Sequence, residues 1–189
     1  MSAAEEKRAL RLALRGQPVP PDRGPLSKAL CEQVLAWDRW QQARCAAAFV
    51  PSAEEADILP LLRDALRGKR LALPATLPDR SIVFRQAESL DGLVPDAFGI
   101  PAPPAACPEI PAEDIDLMLV PLMAADRHGR RLGRGAGCYD RWLAAHRFSA
   151  LRVGIVLPGQ LLDSVPCEPC DQPLDWLAAP GGLIRCVIP

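Results

Sequence analysis

The chain has 189 residues, 49% hydrophobic and 24% charged, a length and composition that suit one domain with its own core and exclude bulk disorder. Lys and Arg number 22 against 23 Asp and Glu, a formal net charge of −1, so no global field recruits nucleic acid or an anionic membrane surface. Every uncharged apolar run falls short of the roughly 20 residues that span a bilayer, and the longest candidate, 117–125, is interrupted by Pro121.

Residues 1–15 lack the apolar stretch of a signal peptide and carry Glu5 and Glu6. The seven cysteines are an odd number in a chain too large to need disulfide staples, so reduced thiols and a cytoplasmic location are expected. Residues 7–15 read as a short helix, with Leu10 and Leu14 on one face. Four prolines and two glycines break the pattern over 16–25. A longer helical stretch is expected over 27–49, through Leu30, Val34, Trp37 and an Ala-rich run. Ser52 followed by Glu55 has the capping-box spacing, and predicts a helix through Ile58, Leu61, Leu62, Ala65 and Leu66 that ends at Gly68.

Short strands follow at 70–73, closed by Pro74, and at 81–84. Residues 88–111 are Pro-rich and read as a surface loop. Residues 116–120 form a continuous apolar run, the mark of a strand buried on both faces. A helix is expected at 139–147, then strands at 152–157 and 183–188. Strands alternating with helices predict an α/β fold, a mainly parallel, Rossmann-like sheet flanked by helices, in a single domain over 1–189.

The segment richest in chemistry is Arg131-Leu-Gly-Arg-Gly-Ala-Gly-Cys-Tyr-Asp-Arg141. Gly133, Gly135 and Gly137 alternate, so the backbone can come close to a ligand and turn through positive φ. Successive N–H groups before a helix make an anion nest. Arg131 and Arg134 add charge suited to phosphate oxygens, and Asp140 adds the hard oxygen that magnesium prefers. The spacing is neither a Walker A loop nor a dinucleotide fingerprint. Taken alone it is equally a tight glycine turn before a helix.

At these residues the chain resembles the 5-formyltetrahydrofolate cyclo-ligase family, whose signature is similar to Arg-Leu-Gly-Arg-Gly-x-Gly-x-Tyr-Asp. Further blocks resemble the family in the same order: Lys7-x-x-x-Arg11, Phe49 to Asp57, Gly68 to Pro74, Asp116 to Pro121 with Asp126 to Gly129, then Gly154 to Gln160, Val165-Pro166 and Asp171 to Asp175. The resemblance spans nearly the whole chain. It implies an enzyme that converts 5-formyltetrahydrofolate to 5,10-methenyltetrahydrofolate with ATP and Mg2+. The formyl oxygen takes the γ-phosphoryl group, N10 attacks the activated carbon, and phosphate leaves.

Carried over position by position, the resemblance implies ATP contacts at Lys7 and Arg11 and along Arg131, Leu132, Gly133, Arg134, Gly135, Ala136, Gly137, Cys138 and Tyr139. It implies folate contacts at Arg11, Val50, Glu55, Arg134, Gly135, Ala136, Gly137 and Cys138, and a metal held by Asp140 and Asp171. No catalytic side chain is named. Without the resemblance, Lys7 and Arg11 read as a solvated basic face, Asp140 as a helix cap, Asp171 as a turn residue before Pro173, and Glu55 as half of the capping box.

The sequence departs from the family at several places. Cys138 stands where the first of two tyrosines is usual, and Ala102 where Glu or Gln is common. Glu55-Ala-Asp57-Ile58 and Ala179-Pro180 also differ. Loss of an aromatic ring at position 138 bears on folate affinity more than on nucleotide binding. Two other functions stay open: a paralog that binds nucleotide or folate without catalysis, and a redox or metal protein using Cys167-Glu-Pro-Cys170. The second lacks a partner Cys pair at zinc spacing, and its prolines argue for a loop. His128 and His146 read as surface residues, and Trp37, Trp40, Trp142 and Trp176 as core or pocket wall. The expected partners are small molecules only, with no nucleic acid or membrane, and a monomer is expected.

Overall fold

The structure, a computed structural model, describes residues 2–15, 21–146 and 149–187. Two helices open it, α1 (Ala3–Arg15) and α2 (Arg23–Leu35). Helix α1 begins earlier than the expected 7–15, because Ser2 and Glu5 cap it reciprocally. Glu5 N–H donates to Ser2 Oγ at 3.3 Å, and Ser2 N donates to Glu5 Oε2 at 2.8 Å. Residues 16–20 of the expected break lie outside the described residues.

The stretch 27–49 is not one helix. It divides into the end of α2, a short α3 (Asp38–Gln42) and a strand, β1 (Cys45–Ala47). Alanine is the best helix former in isolation. Here tertiary contacts override that preference: Cys45, Ala46 and Ala47 are fully buried, and the Asp116 carboxylate accepts the N–H groups of Arg44 and Cys45 at 2.8 and 2.9 Å. The Ser52–Glu55 pair also differs from expectation. Glu55 accepts the Ser52 N–H at 2.8 Å, but the pair closes a turn. The helix, α4 (Leu59–Gly68), starts after Asp57, whose Oδ1 accepts the Leu59 N–H at 3.0 Å.

Strand β2 (Arg70–Thr76) runs on through Pro74 and pairs with β3 (Ile82–Ala87). Strand β1 lies beside β2 only as far as Ala72, so at Pro74 one neighbour remains and the missing N–H is tolerated. The loop 88–111 is irregular as expected, except for a small hairpin of β4 (Val94–Pro95) and β5 (Pro101–Ala102). Then come β6 (Leu117–Val120), a second hairpin of β7 (Ala124–Ala125) and β8 (Arg131–Leu132), α5 (Cys138–Ala145), β9 (Leu151–Ile155), β10 (Trp176–Ala179) and β11 (Gly182–Arg185). Strand β10 was not anticipated; its four residues are too short to carry a period. Arg147 and Ile188, which close two expected elements, lie outside the described residues.

The seven-stranded sheet has the order β11-β10-β9-β6-β1-β2-β3. Its five central strands, β10 to β2, are parallel, and β11 and β3 are antiparallel edges. Successive side chains along each strand enter opposite faces. Leu117 and Leu119 join α2 and α4 on one face, with Leu30, Val34, Leu61 and Leu62. Met118 and Val120 join α5 on the other, with Trp142 and Leu143. Trp40 and Trp142 are core residues, while Trp37 and Trp176 pair at 5.2 Å.

The chain leaves β1 toward β2 through α4, and leaves β6 toward β9 through α5. The two crossovers move in opposite directions from adjacent strands and lie on opposite faces. The boundary between β1 and β6 is therefore the point where winding reverses, and a crevice opens outside the carboxyl ends of such strands.

Candidate functional site

A cleft of about 680 Å3 lies at that point. Its floor comes from the residues that follow β1 and β6, Phe49 to Ser52 and Pro121-Leu122, and from Pro74 and Thr76 in β2. Helix α1 brings Lys7 and Arg11 to one side, the glycine loop forms another, and the segment between β9 and β10 brings Glu168, Cys170 and Asp171. Of the residues to which the resemblance assigns an ATP, folate or metal contact, all but Leu132 border this cleft. Leu132 is fully buried instead, and packs with Ala124 and Val165 beneath α1.

The glycine loop has the conformation its composition requires. Gly135 and Gly137 hold φ of 109° and 66°, values that side chains with a Cβ rarely adopt. Gly137 caps α5 in the left-handed region. Arg11 Nε donates to the Gly133 carbonyl at 2.9 Å. A methyl group on Gly133 would sit 3.2 Å from Arg131 Nη1. Arg134 crosses from the loop to the 52–55 turn, donating to Ser52 Oγ at 3.1 Å and pairing with Glu54 at 3.2 Å and Glu55 at 3.4 Å. Glu55 therefore ties its own turn and also meets Arg134 of the loop.

Two buried cations, Lys7 and Arg131, also form ion pairs at the cleft. Lys7 is 4% exposed and binds Glu168 at 2.8 Å and Asp171 at shorter range. Burial pulls the Lys7 ammonium down from its ordinary pKa, but the bonds and charges of Asp171 and Glu168 outweigh it, so the net shift is upward. Arg131, 8% exposed, pairs with Asp140 at 2.5 Å, while its Nε has no hydrogen-bond partner among the described residues. Asp140 also accepts the N–H of Gln172 at 3.4 Å, the residue after Asp171, which brings the two carboxylate-bearing segments together. Burial pushes the Tyr139 phenol above its ordinary range, and its ring lies 5.9 Å from the Arg131 guanidinium.

Cys138 stands at the start of α5 on the cleft wall, 3.8 Å from Arg141 Nη2. Ala102 is 1% exposed and does not border the cleft; Ile100 and Pro101 do. Val50 lies on the floor. Cys167 and Cys170 are free and exposed. Among the described residues no group of three or more His, Cys, Asp or Glu side chains is arranged to hold a metal. His128 is exposed, 3.1 Å from the Val187 carbonyl, and His146 closes α5, 2.7 Å from the Trp142 carbonyl.

Sequence reasoning missed Glu168 and Arg141. Glu168 precedes Asp171 by one turn, and the Asp171 carboxylate accepts its N–H at 2.7 Å. Arg141 ends the quoted motif and borders the cleft. Their signal was adjacency to residues already singled out.

The Asp140 and Asp171 carboxylates are hard oxygen donors, which suit a divalent ion that arrives with phosphate oxygens, as Mg2+ does, better than zinc. Fold and site together define a doubly wound α/β protein with a glycine loop bordering the cleft at its switch point. The chain belongs to the 5-formyltetrahydrofolate cyclo-ligase family, whose model matches residues 3–180. It is 37% identical over 145 residues to the 5-formyltetrahydrofolate cyclo-ligase of Mycolicibacterium smegmatis, covering 72% of this chain and 74% of that one. It is 28% identical over 167 residues to the Escherichia coli K12 enzyme of the same name, covering 86% and 92%. The solved structure of Aquifex aeolicus 5,10-methenyltetrahydrofolate synthetase superposes with a TM-score of 0.82 at 28% identity, over 98% of this chain and 93% of that one.

Proposed function

We propose that this chain is a 5-formyltetrahydrofolate cyclo-ligase, converting 5-formyltetrahydrofolate and ATP to 5,10-methenyltetrahydrofolate, ADP and phosphate. The observation that carries the reading is the meeting, in one cleft, of an anion-receptive glycine loop, two basic residues of α1 and two carboxylates. The formyl oxygen attacks the γ-phosphorus and ADP leaves. N10 then attacks the activated formyl carbon, the C–O bond breaks with release of phosphate, and N10 loses its proton. An amide oxygen is a poor leaving group until phosphorylated.

The protein's part is positioning and charge. The loop N–H groups, Arg134 and Tyr139 cradle the nucleotide, and Lys7 and Arg11 meet its phosphates. Val50, Glu55 and the wall at Cys138 receive the folate, with Arg11 and Arg134 reaching both substrates. Asp140 and Asp171 would hold Mg2+, which neutralises phosphate charge when bound with the nucleotide. In the structure each carboxylate is matched by a cation, Asp171 by Lys7 and Asp140 by Arg131. Incoming phosphates would give Lys7 and Arg131 new anionic partners and free the carboxylates for the metal. The substrates are small molecules, and we place the reaction in the cytoplasm, on a monomer, without nucleic acid or membrane. Among the described residues no helix is long and apolar enough to cross a membrane.

The test follows the near-ultraviolet absorbance of the methenyl product on 5-formyltetrahydrofolate, with and without ATP and Mg2+. The band should grow only when all three are present. Nucleotide binding without band growth at saturating folate would instead make the chain a non-catalytic paralog.

A further inference from the structure

Glycine-rich loops bind anions only while their peptide planes stay turned the right way. A peptide's carbonyl and N–H point in opposite directions, and glycine flips between them at little cost. A loop with three alternating glycines needs something to hold its carbonyls away from the anion.

Two arginines hold carbonyls of this loop. Arg11 Nε holds the Gly133 carbonyl at 2.9 Å. Arg141 Nη1 holds the Ala136 carbonyl at 2.7 Å. The other arm of Arg141, Nη2, donates to the Arg80 carbonyl at 2.9 Å and lies 3.8 Å from Cys138 Sγ. Arg80 belongs to the turn between β2 and β3, and is the non-glycine residue with positive φ, 66°, among the described residues. The Arg80 N–H donates to Leu77 at 2.9 Å, so this turn is closed by its own bond and anchors the clasp to the sheet edge. The fit is close: a methyl group on Gly137 would lie 3.0 Å from Arg141 Nη1.

We infer that Arg141 is a positioning residue for the glycine loop, one that fixes the 136–137 peptide so that the Gly137 N–H, opposite the clasped carbonyl, is presented to the nucleotide phosphates. Its two end nitrogens are occupied by protein carbonyls, so it acts through the loop. Lysine cannot reproduce the action, because a single ammonium does not span two carbonyls in a fixed fork. The inference deepens the proposed function and rests on its assignment of the loop to the nucleotide.

The experiment measures ADP affinity by calorimetry in the presence of Mg2+, together with KM for ATP and for 5-formyltetrahydrofolate, in the wild type, Arg141→Ala and Arg141→Lys. Losing two charge-assisted bonds, one to the loop and one to the turn at Arg80, should weaken ADP binding about tenfold or more in Arg141→Ala. KM for ATP should rise in parallel, and by more than KM for the folate, which the same loop is proposed to meet, with Arg141→Lys between wild type and Arg141→Ala. ADP affinity equal to wild type in Arg141→Ala, or equal rises in both KM values, would overturn the inference. If the alanine variant does not fold, an unchanged ADP affinity in Arg141→Lys overturns it alone. A wild-type protein that binds no ADP would defeat the proposed function itself, before the variants are compared.

Discussion

Replacing Asp140 by Asn tests two roles of one carboxylate. Seen from the sequence, Asp140 is a loop ligand whose loss should lower turnover and leave melting nearly unchanged. The structure adds a second consequence. The Arg131 side chain beside it is 5% exposed, and that of Asp140 is 24% exposed. Asparagine keeps the size and one acceptor oxygen but removes the charge. A hydrogen bond between charged groups contributes about 1.5–3 kcal/mol net, and stripping one partner from a fully buried pair costs about 3–5 kcal/mol. Partial exposure of Asp140 and the retained oxygen bring the expectation to about 2 kcal/mol. Among the described residues the Arg131 Nε has no partner, so none of them offers that atom a second bond.

In a chain of 189 residues, each kcal/mol moves Tm by about 2–4 °C, so Asp140→Asn should melt about 4–8 °C lower. If Asp140 also holds the metal, kcat/KM should fall about a hundredfold or more, the scale of losing one charged element of a catalytic site. Thermal unfolding with and without Mg-ATP, alongside the methenyl absorbance assay, reads both. An unchanged Tm would refute the energetic weight given to the Arg131 pair. A wild-type rate would remove Asp140 from the site.

Cys138→Tyr places a ring on the cleft wall that we assign to the folate. One aromatic contact contributes about 0.5–1.5 kcal/mol beyond burial, so KM for 5-formyltetrahydrofolate should fall about twofold to tenfold with KM for ATP unchanged; equal changes in both, or none, would mean that this wall does not meet the folate. Asp96 ties the β4–β5 hairpin to β2, accepting N–H groups from Thr76, Phe98 and Ile100 at 2.8–2.9 Å. Burial raises its pKa, but those bonds outweigh it and hold the carboxyl below its ordinary 3.8. Its contribution is then complete above that ordinary value and is lost as pH falls through the lower folded value. Asp96→Ala should therefore cost about 1–2 kcal/mol at pH 7 in urea unfolding. The gap from wild type should narrow once the pH is taken below 3.8, and a gap independent of pH would show that the lost bonds do not involve the charged form.

The parts of this protein legible in its sequence are those whose cause is local. Four apolar residues in a row made β6 readable, because a strand buried on both faces has no polar side to show. Alternating glycines marked the loop, since only glycine turns through φ of 109° without strain. The resemblance rests on that loop and on short blocks in order, and of the contact residues it implied all but Leu132 border the cleft. The misreadings fell where distant parts of the chain overrule local preference. Ala46 and Ala47 favour helix by propensity, yet they form a central strand, because the sheet offers them two hydrogen-bonded neighbours and burial on both faces. Ser52 and Glu55 have capping-box spacing, but the pair closes a turn that Arg134 reaches from the glycine loop, and the helix waits until Leu59. Only the tertiary structure pairs Lys7 with Asp171, 164 residues apart, or sets Arg141 between the glycine loop and the turn at Arg80. Such pairings are properties of how the sheet is wound, because the β1–β6 reversal carries helix α1, the loop before α5 and the segment after β9 to one edge, and no local pattern of side chains encodes that meeting.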